Sequence, residues 1–188
     1  MKSKYLLPFL LFSSITFSLG LLAAHHEKEE VNYKEGQKAV TDVFGWDMKN
    51  PPITTERISD NLHVLFGNGG NILVSIGENG VLLVDDQMPE AKNVILRAIR
   101  KLGGRSVDYV INTHWHFDHA EGNNVFGPSG AQIIAQENSR YMMLNPQPIN
   151  LSFIVYPQQP YPLEAVPEIT YKNSMNLHLN GDRIELYH

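Results

Sequence analysis

The sequence predicts a mixed α/β fold in which helices pack against a β-sheet. Short apolar segments separated by tight turns fill residues 57–84, which is the pattern of antiparallel strands joined by hairpins. Residues 81–144 alternate strand-like segments with segments of helical spacing, and residues 175–187 return to strand-like alternation. The 188 residues, of which 43% are apolar, are enough for one globular domain.

The first residues, MKSKYLLPFLLFSSITFSLGLLAA, predict an export signal over residues 1–24. Lys2 and Lys4 give a positively charged start, and an apolar stretch diluted by serines runs from Leu6 to Leu22. An uncleaved membrane anchor is the alternative, because this stretch nearly reaches the roughly 20 residues that span a bilayer. The serines and Pro8 favour the signal. We therefore expect a periplasmic or secreted protein that meets the membrane only through its export signal.

Residues 25–55 are polar and predict a flexible lead-in with room for a short helix, and residues 56–188 predict the folded domain. The elements expected in this domain are strands at Ile58–Phe66, Asn71–Ile76 and Val81–Val84, a helix from Pro89 to Leu102, strands at Val107–Asn112 and Ala131–Ala135, a helix at Gln136–Leu144, and a hairpin of Met175–Leu179 with Arg183–Tyr187. Six prolines between Asn145 and Pro167 predict a long surface loop. Within it, Tyr156 and Tyr161 either line a substrate cleft or are solvated.

Charge and cysteine content exclude some classes of function. The net charge is −5 and no basic stripe follows the N-terminus, so nucleic acid is not expected as a partner. We expect a small-molecule substrate instead. The chain has no cysteine. Disulfides and thiolate metal ligands are therefore excluded, and a metal ion has to be held by His, Asp, Glu or backbone oxygen.

Residues 113–123, THWHFDHAEGN, concentrate four potential metal ligands in six positions, namely His114, His116, Asp118 and His119. His114 and His116 follow a strand and are two residues apart, so their side chains point to the same side and can reach one cation. A turn after His116 would let Asp118 and His119 face a second cation. The spacing therefore suits two neighbouring ions, which would lower the pKa of a bridging water towards about 7.

A polar loop that contains histidines by chance is the alternative explanation. Four ligand-type side chains in six residues, directly after a buried-looking strand, argue against it. The other histidines receive ordinary interpretations: His25-His26 as part of a solvated linker, and His63 and His178 as residues on the surface of a sheet.

The pattern H-x-H-x-D-H, followed by Ala120-Glu121-Gly122-Asn123, resembles the metal-binding signature of the metallo-β-lactamase superfamily. The segment VLLVDD resembles the family's strand that ends in an aspartate, here Asp85, and the order of elements over about residues 57–188 is similar to the family's N-terminal half. The resemblance implies the N-terminal half of an αββα sandwich. It also implies that His114 and His116 bind a first zinc, that Asp118 and His119 bind a second, that Asp118 orients the hydroxide, and that Asp85 orders the loop.

The resemblance also implies ligands that the chain lacks. The family completes its site with a further His, a bridging Asp and a last His, whereas only His178 and His188 follow His119, and neither has the expected context. We therefore expect a truncated chain whose sheet keeps an uncovered apolar face. Two ligands per zinc is below the three that are usual in catalytic sites, so weak zinc binding and little hydrolysis are expected.

As a function, the resemblance implies an exported, metal-dependent hydrolase with two zinc ions, in which a metal-bound hydroxide attacks a carbonyl or ester-type substrate. A β-lactam is one candidate, beside thioesters, lactones and other substrates of the superfamily, and the acidic balance disfavours nucleases. The alternative is a metal-binding or accessory protein without turnover. Iron is an alternative to zinc, because His and carboxylate ligands also suit iron.

Overall fold

The structure, a computed structural model, describes residues 33–152 and 154–188, in which eleven strands occur. They are β1 Thr54–Arg57, β2 Leu62–Phe66, β3 Ile72–Gly77, β4 Gly80–Val84, β5 Tyr109–Ile111, β6 Gln132–Gln136, β7 Ile149–Asn150, β8 Val155–Tyr156, β9 Ile169–Tyr171, β10 Ser174–Leu179 and β11 Asp182–Tyr187. The helices are α1 at residues 33–44, α2 Lys92–Lys101, α3 Phe117–Ala120, α4 Asn123–Phe126 and α5 Glu137–Leu144. Short 3₁₀ turns lie at Pro89–Ala91, Gly127–Ser129 and Leu163–Ala165.

Seven of the strands form one sheet in the order β1-β2-β3-β4-β5-β6-β9. Strands β1 to β4 pair antiparallel through tight turns, whereas β4, β5, β6 and β9 pair parallel. The parallel strands need crossover connections, which place their carboxyl ends at one edge of the sheet. That edge carries the loop of residues 113–123. The mixed α/β fold predicted from the sequence is confirmed.

Helix α2 covers one face of the sheet. Ile95, Ala98 and Ile99 lie on its buried side and pack against apolar side chains of β2 to β6. Pro89 begins the preceding 3₁₀ turn, and Gly103, with a φ of 95°, allows the chain to leave the helix in a left-handed conformation. This agrees with the helix predicted between Pro89 and the glycine pair.

The opposite face of the sheet is covered by the hairpin of β10 and β11. Its inward side chains rest on Leu82, Ile111 and Ile134 and remain half-buried; they are Met175, Leu177, Leu179, Ile184 and Leu186. His178, on the outward side, is exposed, as predicted. His188 lies exposed at the end of β11. This face of the sheet is therefore less fully covered than the face under α2.

The lead-in, in which the sequence leaves room for a short helix, contains helix α1 at residues 33–44, and this helix packs on the domain. Val40 is buried with Met88, Phe117 and Tyr156. The physical reason is that α1 places one apolar stripe against the domain, which a polar average composition does not reveal. The predicted signal at residues 1–24 and the pair His25-His26 lie outside the described residues. Within the described part of the chain, no helix is both long and apolar enough to cross a membrane.

Three further sequence predictions are corrected. The strand predicted at Ile58–Phe66 is split, because a turn held by the bond from the Ile58 amide to the Leu62 carbonyl separates β1 from β2. His63 is buried rather than on the sheet surface. The proline-rich segment is not a solvated loop: it contains the short strands β7 and β8, and the rings of Tyr156 and Tyr161 are 0% and 5% exposed.

Because the two faces of the sheet are covered to different extents, we expect an isoleucine-to-alanine substitution to lower the free energy of unfolding by different amounts on each face. Ile95→Ala empties a fully buried position and should lower the free energy of unfolding by about 3 kcal/mol. Ile184→Ala, on the half-buried hairpin, should cost less than half as much because part of that side chain is already in water. Urea unfolding of both variants measures the difference, and equal costs would contradict the asymmetry between the faces.

Candidate metal centre

The histidine loop begins where β5 ends. The amide of Asp85 donates to the carbonyl of Ile111 at 2.8 Å, so the end of β4 stays beside the start of the loop. His116 keeps an extended conformation, with φ −66° and ψ 149°, and the single helical turn α3 begins directly after it. His114 and His116 therefore precede the turn, while Asp118 and His119 lie within it. This is the turn after His116 that the sequence predicts.

The loop brings three imidazole rings together. The ring centroid of His114 lies 4.2 Å from that of His119 and 4.8 Å from that of His116. Nε2 of His119 lies 3.6 Å from Oδ2 of Asp118. All four side chains that the sequence predicts as metal ligands thus occur in one cluster, and each remains partly accessible to solvent.

Asp85 connects this cluster to the sheet. Its Oδ1 accepts the amide of Thr113 at 2.8 Å, and its Oδ2 accepts the hydroxyl of Thr113 at 2.8 Å and Nδ1 of His119 at 2.7 Å. The Asp85 side chain is 5% exposed. The backbone reaches this arrangement at φ 61°, a left-handed conformation that Asp tolerates better than most residues. These bonds would allow Asp85 to order the loop, which is the role that the family resemblance implies and which stays a prediction.

These bonds also determine the tautomers of two histidines. A neutral His119 that binds a carboxylate through Nδ1 carries its proton there, which leaves the lone pair on Nε2. The Thr113 hydroxyl donates its one proton to Asp85, so at 2.9 Å from Nδ1 of His114 it acts as acceptor. His114 then also keeps a free lone pair on Nε2. Sequence reasoning missed Thr113, whose only signal is its position directly before His114.

The protonation of the imidazoles is set by their surroundings. Burial, followed by the neighbouring charges of His119 and His116, lowers the pKa of His114, and burial lowers the pKa of His116. The hydrogen bond that Nδ1 of His119 donates to Asp85 raises the pKa of His119. The lowered values favour neutral imidazole at His114 and His116, which is the form that binds a metal ion.

A glycine turn lies against the loop. The Gly70 amide donates to the Asp118 carbonyl at 3.0 Å. A β-carbon placed on Gly69 would lie 2.8 Å from the Asp118 side chain, and one on Gly70 would lie 2.6 Å from the His119 ring. The turn between β2 and β3 can approach two candidate ligands this closely only because it lacks side chains.

Two buried acids lie beneath the cluster. Asp86 is 0% exposed, its carboxylate oxygens have no hydrogen-bond partner, and burial, with Asp85 nearby, raises its pKa well above the ordinary range. Burial raises the pKa of Glu121 to about 7, against hydrogen bonds from Tyr156 and Tyr33 that lower it. Neither acid is exposed enough to bind a substrate. Sequence reasoning gave neither Asp86 nor Glu121 a role.

The donor chemistry of the loop fits a metal ion. Zinc accepts imidazole and carboxylate ligands, and the loop supplies both. His114 and His116 are imidazoles with lowered pKa, the Asp85 carboxylate orients the His119 ring through Nδ1, and Asp118 adds a carboxylate. Among residues 33–152 and 154–188, however, no group of three or more His, Asp or Glu side chains is arranged to hold an ion. Ring contact does not require that the nitrogen lone pairs point at a common centre.

Comparison with known proteins identifies the family of this arrangement. Residues 65–165 match the sequence model of the metallo-beta-lactamase superfamily. No curated protein sequence matches the chain. The resemblance predicted from the histidine motif is thereby confirmed at the level of the superfamily.

Solved structures show the same fold. The chain resembles BJP-1, a subclass B3 metallo-beta-lactamase of Bradyrhizobium japonicum, at 20% identity and a TM-score of 0.57, covering 73% of this chain and 52% of that one. It resembles FEZ-1 of Legionella gormanii at 19% identity and a TM-score of 0.58, covering 73% of this chain and 53% of that one. It also resembles a metallo-beta-lactamase of Cronobacter sakazakii with a HARLDQ motif, at 22% identity and a TM-score of 0.58, covering 69% of this chain and 50% of that one. The chain thus spans about half the length of these structures.

Substitution of Asp85 tests its connection to the loop. Asp85→Asn replaces one acceptor oxygen by an NH₂ donor. This donor would face another donor, either Nδ1–H of His119 or the N–H and O–H groups of Thr113, so one of these hydrogen bonds is lost. We expect zinc affinity to fall about 10- to 100-fold, as for other residues that orient a ligating histidine. Competition with a chromophoric chelator measures the affinity, with the exposed Asp60→Asn as control. An affinity within twofold of the unsubstituted chain would refute the role of Asp85.

Gly70→Ala tests the close approach of the glycine turn. The added methyl overlaps the His119 ring, so we expect the ring to move and zinc affinity to fall about tenfold, while stability changes little because a side chain can yield. Gly130→Ala is the control: its φ is 101° and nothing lies within 4 Å, so it should cost about 1 kcal/mol of stability and leave zinc affinity unchanged. The reverse pattern would contradict the assignment.

Proposed function

Because the chain belongs to the metallo-beta-lactamase superfamily, we propose that it carries a metal-dependent hydrolase site built on His114, His116, Asp118 and His119. One observation supports this most directly. The ring of His114 contacts the rings of His116 and His119 at the carboxyl end of parallel strands, and Asp85 together with Thr113 leaves an Nε2 lone pair free on His114 and His119.

The proposed roles of the residues follow from their positions. His114 and His116 would hold one ion, and Asp118 and His119 a second. When bound, zinc would lower the pKa of a water to about 7 and so supply hydroxide at neutral pH. Asp118, whose side chain is 26% exposed, would accept a hydrogen bond from the attacking group and orient it. Asp85 would keep the His119 ring in place during the reaction.

The proposed substrate is a small molecule with a carbonyl or ester-type centre. The loop faces solvent, since each of its four candidate ligands is partly exposed, and a ligand can therefore reach it. A β-lactam is the first candidate, because the solved structures that this chain resembles are named metallo-beta-lactamases. An exported protein would meet such compounds outside the cytoplasm, and the N-terminal sequence suits export.

A metal-binding protein without turnover is the second candidate. It is favoured by the finding that no three-ligand group occurs in the described residues, since catalytic zinc sites usually have three protein ligands. Iron rather than zinc is an open alternative for both candidates, because the same ligand types suit it.

Metal analysis and hydrolysis assays on the 188-residue chain separate the candidates. We expect His116→Ala to weaken zinc binding at least tenfold, because it removes a donor of the first ion, and the exposed His178→Ala to leave it unchanged. Hydrolysis of a chromogenic cephalosporin, a thioester or a lactone should be slow, because the chain supplies only two ligands per zinc, and it should stop on chelation and return with zinc. Zinc binding without turnover of any of them supports the second candidate, and turnover that survives chelation would exclude both.

A further inference from the structure

We propose that Glu121 is a positioning residue of the histidine loop, which it joins to helix α1 and strand β8. In this role, which rests on the metal site proposed above, it sets the affinity of the loop for metal without contacting the ion. The observation behind it is a set of hydrogen bonds and ring contacts on the side of the turn away from the candidate ligands.

The Glu121 carboxylate is almost completely buried and accepts three side-chain donors. The Tyr156 hydroxyl lies 3.0 Å from Oε1 and 3.2 Å from Oε2, the Tyr33 hydroxyl 3.2 Å from Oε2, and Nε2 of Gln158 3.2 Å from Oε1. Glu121 is 2% exposed. Each donor is a neutral group, so the arrangement stabilises the carboxylate by geometry rather than by an ion pair. A buried acceptor with this many fixed donors resists displacement.

The same tyrosine holds the other end of the turn. The rings of Phe117 and Tyr156 stack with centroids 4.0 Å apart and planes 22° apart. Phe117 and Glu121 are four residues apart and so share one side of the helical turn. Asp118 and His119 lie between them in sequence. Tyr156 therefore fixes both ends of the segment that carries two candidate ligands.

The turn needs such support because it is short. Helix α3 has four residues, and an isolated turn of that length is not stable in water. Backbone bonds hold its other side, from the Asp86 amide to the His119 carbonyl at 2.9 Å and from the Gly122 amide to the Gln87 carbonyl at 2.7 Å. The Glu121 side chain adds the attachment to segments that are distant in sequence, 88 residues away at Tyr33 and 35 residues away at Tyr156.

The test compares zinc affinity with stability. Glu121→Gln keeps the shape of the side chain but places a donor among three donors, and we expect zinc affinity to fall about tenfold. Tyr156→Phe should have a smaller effect in the same direction, and the double variant should lose less than the sum, because both changes remove the same bond. Tyr33→Phe gives a milder variant if Glu121→Gln folds poorly.

Matched controls separate positioning from a purely structural role. Glu78→Gln, on the exposed turn before β4, and Tyr141→Phe, on the exposed side of α5, make the same chemical changes away from the loop. Ile95→Val lowers stability through the core under α2. These three variants should keep the zinc affinity of the unsubstituted chain, measured well below their melting temperatures, even where the melting temperature falls.

Amide hydrogen exchange without metal provides an independent readout. Glu121→Gln should speed exchange at the amides of His119, Ala120 and Gly122, while Ile95→Val should not do so selectively. Unchanged zinc affinity in Glu121→Gln, beside clear binding by the unsubstituted chain, would overturn the proposal. If the unsubstituted chain binds no zinc, the proposed function fails and the exchange rates alone decide. Faster exchange confined to the amides of His119, Ala120 and Gly122 then supports the positioning role of Glu121, and unchanged exchange at these amides overturns it.

Discussion

The carboxylate of Asp85 is the interaction on which the geometry of the histidine cluster depends. It lies at the end of β4 and binds the first residue of the loop that follows β5, so it joins two neighbouring parallel strands at the edge where they end. The same carboxylate holds the His119 ring, and through the Thr113 hydroxyl it acts on His114. One buried group therefore determines the position of the loop and the tautomers of two of its imidazoles.

The loop is supported on every side that does not face solvent. The glycine turn at residues 69–70 approaches from β3, the segment Asp86–Gln87 binds the backbone of α3, and Tyr156 packs beneath it. The acids Asp86 and Glu121 are buried in this support, and burying a carboxylate is costly unless it is hydrogen-bonded or protonated. Glu121 has its donors, whereas the carboxylate oxygens of Asp86 have no hydrogen-bond partner in the described structure, and burial raises the pKa of Asp86 well above its ordinary range. Buried carboxylates that lower stability occur where the protein must hold functional side chains in fixed positions.

The sequence predicted the elements with strong local signals. Gly103 ended helix α2 because a left-handed residue is needed there, and the hairpin turn at Asn180-Gly181 follows the same logic. Features without local signals were missed. The packing of helix α1 on the domain was not predicted, because one buried stripe with Val40 does not dominate its composition, and strands β7 and β8 were missed because prolines normally exclude strands.

The sequence by itself determined the fold class, the superfamily and the four candidate ligands, because spacing along a strand and a turn fixes which side chains point the same way. It also selected Asp85, although only through the family resemblance. Tertiary structure alone decided the partners of these residues. The sequence did not predict the contacts of Thr113, Gly70, Glu121 and Tyr156, because these contacts join segments far apart in the chain. They depend on how the sheet, α1 and the proline-rich segment pack together.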